Sequence, residues 1–278
     1  MRQDTDRRAG TASTGHDHDA VVARRGFPFF SLKHAGAPME NLSSFDTAPE
    51  HRVRRKAQRA AYDRETVYSI LDAGYFCHVA LVVDARPVVV PMTYWREDDF
   101  VYFHSAAAGR FANAFCSGEV CISICHFDGL VLGHSAINHS MNYRSVVVHG
   151  VAEKVEGQEH KRAAMKNFFA GIFHSRWDQL RPLRDAEINA VNVFRLKLEQ
   201  VAAKIRDELP DPERFMPDWP VWTGVIPAHC AFAEPVADPR MDFQPPLPED
   251  LQAFRGKDGH VPGCLGAPGA PGAPDRSM

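Results

Sequence analysis

From residue 63 onward the spacing of apolar positions changes period several times, and each change marks an element. Val67, Ile70 and Leu71 share a helical face, Asp63 is a good N-cap with Glu65 in the first turn, and Gly74 supplies a stop. This predicts one short helix. Strand-like runs follow, YFCHVALVV, RPVVVPMTYW and FVYFHS, with DARP and REDD as the turns between them. Ala106 to Phe115 fits a short helix ending near Gly118, and EVCISICHF and MNYRSVVVHGVAEKV read as further strands. In GQEHKRAAMKNFFAGIF, Met165, Phe168, Phe169 and Ile172 form one helical stripe, which predicts an amphipathic helix packed on the sheet. Asp185 is placed to cap another helical turn. In VNVFRLKLEQVAAKI, Phe194, Leu196 and Leu198 alternate with Val193, Arg195 and Lys197, the pattern of a strand with one wet face. Hairpin-linked strands with a few interspersed helices make the fold mainly β, an antiparallel barrel with helical decorations rather than a doubly wound α/β sheet.

Composition sets the boundaries of this domain. Residues 1–50 are polar and rich in Gly, Ser and Thr without an apolar period, so they read as a disordered tail. Residues 236–278 end in the Gly-Ala-Pro run GCLGAPGAPGAPDRSM, the composition of a flexible linker. The folded part is then 51–235, enough for one domain with its own core. A net charge of -3 argues against a general nucleic-acid or anionic-membrane binder. The basic run HRVRRKAQRAAYDR reads first as a solvated lead-in to the helix. Six cysteines include no C-x-x-C pair, the N-terminus has no apolar signal core, and no apolar run approaches a membrane span. A reducing cytoplasm is the expected setting.

The motifs of several enzyme classes are missing. There is no G-x-G-x-x-G, no Walker lysine loop, no G-x-S-x-G and no H-E-x-x-H. The richest chemistry lies in GLVLGHSAINHSMNYRSVVVHG, Gly129 to Gly150, which holds His134, His139, His149 and Arg144 but no carboxylate. With Cys121, Cys125 and His126 nearby, a metal site was the first possibility to weigh. The histidine offsets are irregular and no acid within the stretch orients a ligand, so no protein-ligated metal is expected. His149 reads as a satisfied strand residue. As an anion seat the stretch is better equipped, because Asn142, Tyr143, Arg144 and Ser145 fall where a loop becomes a strand. A second donor cluster occurs in YFHSAAAGR, where His104 and Ser105 end a strand and Gly109 with Arg110 opens the expected short helix. Two readings stand side by side: both arginines face a phosphorylated ligand, or both pair with surface carboxylates.

Taken in order, RPVVVPMTYW, FVYFHSAAAGR and MNYRSVVVHGVAEKV resemble the FMN-binding split β-barrel of the pyridoxamine 5'-phosphate oxidase superfamily. The likeness is greatest to its branch of flavoproteins related to nitroimidazole-resistance reductases, and it runs from about Arg55 to Pro235, ending in VWTGVIP. The resemblance implies FMN as cofactor, with Pro91, Met92 and Thr93 along the ring. His104, Ser105, Gly109 and Arg110 would hold the ribityl chain and phosphate, and Asn142, Tyr143, Arg144 and Ser145 would complete the seat. It also implies a homodimer and an oxidoreductase acting on a small organic electron acceptor, a nitro-compound or a quinone; His78, Tyr94 and Trp222 are candidate substrate walls, each read first as barrel core or rim. Two departures matter. The family's phosphate motif often reads Arg-Lys, whereas Arg110 precedes Phe111, and the C-terminal Arg-Leu-His element of true pyridoxamine-phosphate oxidases is replaced by Arg195, Leu196 and Lys197 inside a strand. The rival expectation is a non-catalytic flavin or haem binder, with His134, His139 or His149 as the axial ligand.

Overall fold

The computed structural model describes residues 44–252, apart from His174, Ser175, Phe215, Pro217, Met241, Asp242 and Gln244. Of the tails expected at 1–50 and 236–278, residues 1–43 and 253–278 lie outside the described residues. Among the described residues ten strands form one antiparallel sheet: β1 (Ala60–Ala61), β2 (Phe76–Val83), β3 (Arg86–Glu97), β4 (Phe100–Ala106), β5 (Glu119–Leu132), β6 (Ser140–Val151), β7 (Glu153–Lys154), β8 (Val191–Lys197), β9 (Gln200–Arg206) and β10 (Gly224–Pro227). Their order is β1-β9-β6-β5-β2-β3-β4-β8-β7, with β10 added to β5. The sheet curls into a half-barrel, as the sequence led one to expect. At its closest point β6 runs against β8: a Cβ on Gly150 would lie 2.9 Å from Leu196 Cδ1, and the φ of +155° there also calls for glycine.

The core lies inside the curl. Val79 and Leu81 from β2, Tyr94 from β3, Val101 and Phe103 from β4, and Ile122 and Ile124 from β5 are all buried. Helix α1 (Arg64–Leu71) closes one end, capped by Asp63, whose side chain accepts the amide of Thr66 at 2.8 Å. Val67, Ile70 and Leu71 face the core as their spacing predicts.

Helix α2 (Gln158–Phe173) covers the outer face of β3, β4 and β8. Phe168 packs on Trp95 with ring centroids 5.0 Å apart, and Val193 is fully buried beside them. Val193 therefore does not lie on a wet face: β8 is covered on both sides, by Phe103 inside and α2 outside. Two further details differ from the pattern. VNVFRLKLEQVAAKI forms two strands, β8 and β9, which pair with different neighbours. Helix α3 (Arg176–Gln179) is followed by α4 (Asp185–Asn189), whose N-cap is Arg184 rather than Asp185; Glu187 reaches back to accept the Arg184 amide at 2.9 Å.

The folded chain begins before residue 51. Phe45 is buried in the core and Thr47 donates to the Val201 carbonyl at 2.5 Å, so this part of the expected tail is fixed to β9. The segment 236–240 at the other end is exposed.

Ala106 to Phe115 is not a helix. Its amides bond three residues back, Gly109 to Ala106, Ala112 to Gly109 and Ala114 to Phe111, and only Ala114–Cys116 completes a 3-10 turn. Phe115 sits in the core against Phe103 and Phe194, at 5.3 and 5.2 Å between centroids. Replacing Phe115 by Ala should cost about 3–5 kcal/mol, measured as a shift in the urea midpoint at constant m-value. A change below about 1 kcal/mol would show that this ring does not anchor the turn.

Candidate functional site

Strand register explains where the expected residues meet. Tyr94 pairs with Phe103, both pointing into the barrel, so Thr93 and His104 emerge on the opposite face. Thr93 Oγ1 lies 3.4 Å from His104 Nδ1. The His104 ring packs 5.5 Å from Phe168 and 6.3 Å from Trp95, at the edge of the cover that α2 provides. Burial pushes its imidazole below the ordinary value of 6.5, which favours the neutral form. Pro91 and Met92 precede Thr93 on β3. Pro91 is exposed opposite His78, while Met92 belongs to the core and contributes its backbone alone to this face.

Beyond His104 the strand runs out. Ser105 pairs with Asn192 in the ladder and its hydroxyl is 3.3 Å from the Ala106 carbonyl. The chain then turns through Ala107, Ala108 and Gly109, where an added Cβ would stand 2.8 Å from the Ala106 oxygen. Phe111, Ala112 and Phe115 tie the inner side of the turn to the core, leaving Arg110 exposed. The Arg110 guanidinium lies 5.0 Å over the Phe111 ring. Among the described residues it has neither a hydrogen-bond acceptor nor a carboxylate. Because no helix opens here, the helix-terminus argument for anion binding falls away, and the arginine remains as the cationic donor. Phe111, in the place where lysine was expected, is an anchor of the turn.

The second cluster behaves differently. Arg144 makes a two-pronged ion pair with Asp128, at 2.9 and 2.8 Å. That acid stands one residue before the stretch that contains none. Asn142 is buried, accepts from Arg206 and donates to the Glu208 carbonyl at 3.2 Å. Ser145 donates to the Lys204 carbonyl at 3.2 Å, and Tyr143 pairs with Phe127 on β5. These residues hold β6 between β5 and β9. The two arginines therefore divide between the two readings: Arg144 pairs with a carboxylate, and Arg110 does not.

Of the three possible walls, Tyr94 is fully buried and donates to the Leu71 carbonyl at 2.6 Å, which makes it core. His78 is exposed on the outer face of β2, and Trp222 is exposed with its ring against Gly224. His139 Nδ1 donates to the Ser135 carbonyl at 2.9 Å. His134 receives the Met216 amide at 3.1 Å and lines a cleft of about 350 Å³ with Asn138, Leu209, Pro210 and Arg214. His149 stacks on His51, with centroids 4.3 Å apart. Sequence reasoning missed His51, which lay in the run read as a basic lead-in, and Asp128, whose pairing follows only from a bulge between Phe127 and Gly129.

The residues around β3 and β4 suit a phosphorylated flavin in their chemistry. Thr93 and His104 supply a hydroxyl and an imidazole and the turn after β4 an unmatched guanidinium, while the acid of this strand face, Glu97, stands at the far end of β3 and accepts from Trp95 Nε1 at 2.6 Å.

Comparison with known proteins follows the same outline. The family model described as pyridoxamine 5'-phosphate oxidase matches residues 63–205. The flavocytochrome Anf3 from Azotobacter vinelandii superimposes with a TM-score of 0.71 at 37% identity, covering 75% of this chain and 97% of its own. An FAD- and haem-binding protein from Mycobacterium smegmatis gives 0.66 at 24% identity, over 70% of this chain and 97% of that one. A search of curated proteins finds no match. A split barrel with this strand order, a family match that spans most of its strands, and a 37% identical structure together place the chain in the pyridoxamine 5'-phosphate oxidase family.

Proposed function

We propose that this protein binds FMN on the face formed by β3, β4 and the turn after β4, and works as a flavin-dependent oxidoreductase. The observation that carries the reading is Arg110, an exposed cation with no carboxylate among the described residues, in the turn that follows β4, in a family whose resemblance implies a flavin phosphate at that turn. Thr93 and His104 present a hydroxyl and an imidazole on the outer face before this turn, and the backbone of Pro91 to Thr93 would line the ring. Ser105 and Gly109 let the chain pass close to the phosphate. A bound flavin supplies electron transfer between a donor and an acceptor. The protein's part is to bind, orient and shield it, and a small nitro-compound or quinone is the proposed acceptor.

A homodimer fits the same face. Phe76, Val82 and Val89 are large apolar side chains exposed on β2 and β3, and Phe76 pairs directly with Thr93. A second copy of the chain over this patch would cover the apolar surface and close the open side of the flavin seat. A reducing cytoplasm is the proposed location: Cys77, Cys116, Cys121 and Cys125 are all thiols, and among the described residues no helix is long and apolar enough to cross a membrane.

A second reading adds haem, because the 37% identical neighbour is a flavocytochrome. Of the three histidines considered as axial ligands, His134 has the most suitable setting, in the cleft beside Leu209 and Pro210. A Soret band lost in His134→Ala would establish it.

Removing the guanidinium with Arg110→Ala should weaken FMN binding by about 1.5 to 3 kcal/mol, roughly ten- to a hundredfold in Kd, measured by flavin fluorescence quenching. Unchanged affinity in the folded variant would place the phosphate elsewhere. His104 gives a second expectation, on pH. Its folded value is depressed, so as pH falls below 6.5 the unfolded chain takes up this proton first and stability declines until the folded value is passed. Urea unfolding of the flavin-free protein between pH 7.5 and 5 should show this decline, reduced in His104→Gln; equal slopes in the two proteins would contradict it.

A further inference from the structure

The start of β5 and the end of β6 bring together a set of metal-ligating side chains from three parts of the chain. His149 stands on the outer face of β6 opposite Cys121 of β5. Glu119 lies two residues before Cys121 and so on the same face, with its Oε1 3.5 Å from His149 Nδ1. The other ring nitrogen, Nε2, faces the Cys121 sulfur at 3.8 Å. His51 arrives from the segment before β1 and stacks on His149, with an interplanar angle of 30°. One ligand atom from each of His51, Glu119 and His149 lies within 4.8 Å of the others.

The position of His51 is built rather than incidental. Its amide closes a turn on the Ala48 carbonyl at 3.0 Å, and the Ala48 amide donates to the Gln200 side chain at 2.8 Å. Gln200 is the β9 residue paired with His149. Thr47 fixes the same turn to Val201, and Arg52 donates to the Thr47 carbonyl at 2.9 Å. The residue beside His149 in the sheet thus holds the turn that delivers His51.

We infer that His51, Glu119 and His149 form a binding site for one divalent transition-metal ion, with zinc the best match to two imidazoles and a carboxylate. Ligand atoms about 2.0–2.2 Å from zinc stand roughly 3.4 Å apart in a tetrahedron, so small side-chain rotations close the set. The Cys121 thiol then steadies the second nitrogen of His149, as outer partners of metal-bound histidine do. The two rings lie face to face at 4.3 Å, too close to bracket a haem plane between them. The ion would fasten the segment before β1 to the ends of β5 and β6. This site is separate from the proposed flavin seat and does not rest on it.

The test is zinc titration by calorimetry on the full-length, chelator-treated protein, alongside His51→Gln, Glu119→Gln and His149→Gln. The wild-type chain should show a tight site near one equivalent and a zinc-dependent rise in Tm. That site should be lost in both histidine variants and weakened by about tenfold or more in Glu119→Gln. The chain has 14 histidines, so the differences between proteins decide, not total uptake. Equal zinc affinity in all four proteins, loss in His149→Gln alone, or no tight site in the wild type would overturn the inference. Glu119 is exposed at a strand start and His51 lies outside the sheet, so unchanged metal-free Tm values in these two variants exclude misfolding as the cause.

Discussion

Two-sided burial of β4 is the constraint on which the rest of the structure depends. Val101 and Phe103 point into the barrel against Phe194, while Tyr102 and His104 point outward beneath α2 and Trp95. A strand covered on both faces has one tolerable register, since a slip of one residue would exchange Phe103 with His104. That register places Thr93 beside His104 and releases the chain into a turn where the cover of α2 ends. Phe111 and Phe115 then return it to the core, and Arg110 is left facing outward by the same anchoring that buries its neighbours.

Electrostatics sorts the arginines by what folding gives them. Arg144 has Asp128, Arg96 has Asp72, and Arg59 has Glu208, which also lies 3.8 Å from Arg206. The Asp128 and Arg144 side chains are each about a quarter exposed, so their pairing contributes modestly to stability but commits the guanidinium. Among the described residues Arg110 is not committed, and an unmatched guanidinium is where a phosphate gains most.

Alternation and helical spacing made most of the architecture legible. The apolar stripes of α1 and α2 and the hairpin succession from β2 to β4 followed from the residue pattern, because each element buries one regular face. The patterns misled where two influences met at one residue. Val193 looked like part of a wet face because Arg195 and Lys197 flank it, yet α2 covers only the near end of β8. Ala106 to Phe115 looked helical from its alanines, but Phe111 and Phe115 are drawn inward to the core and pull the chain into tight turns. In the site, the clustering of His104, Ser105, Gly109 and Arg110 was legible because they are close in sequence. The pairing of Thr93 with His104 needed the register, that of Arg144 with Asp128 needed the bulge, and the meeting of His51 with His149 needed tertiary structure. Such contacts between distant positions leave no periodic trace.

Family membership fixes the barrel, and the chemistry of one turn and one strand face carries the flavin reading. The absorption spectrum of the full-length protein, purified and then desalted after incubation with FMN, tests that reading most directly. Retained flavin absorption, with FMN recovered from the denatured protein, is the result this account predicts. A protein that stays colourless after FMN is offered, or that shows a Soret band without flavin, would contradict it.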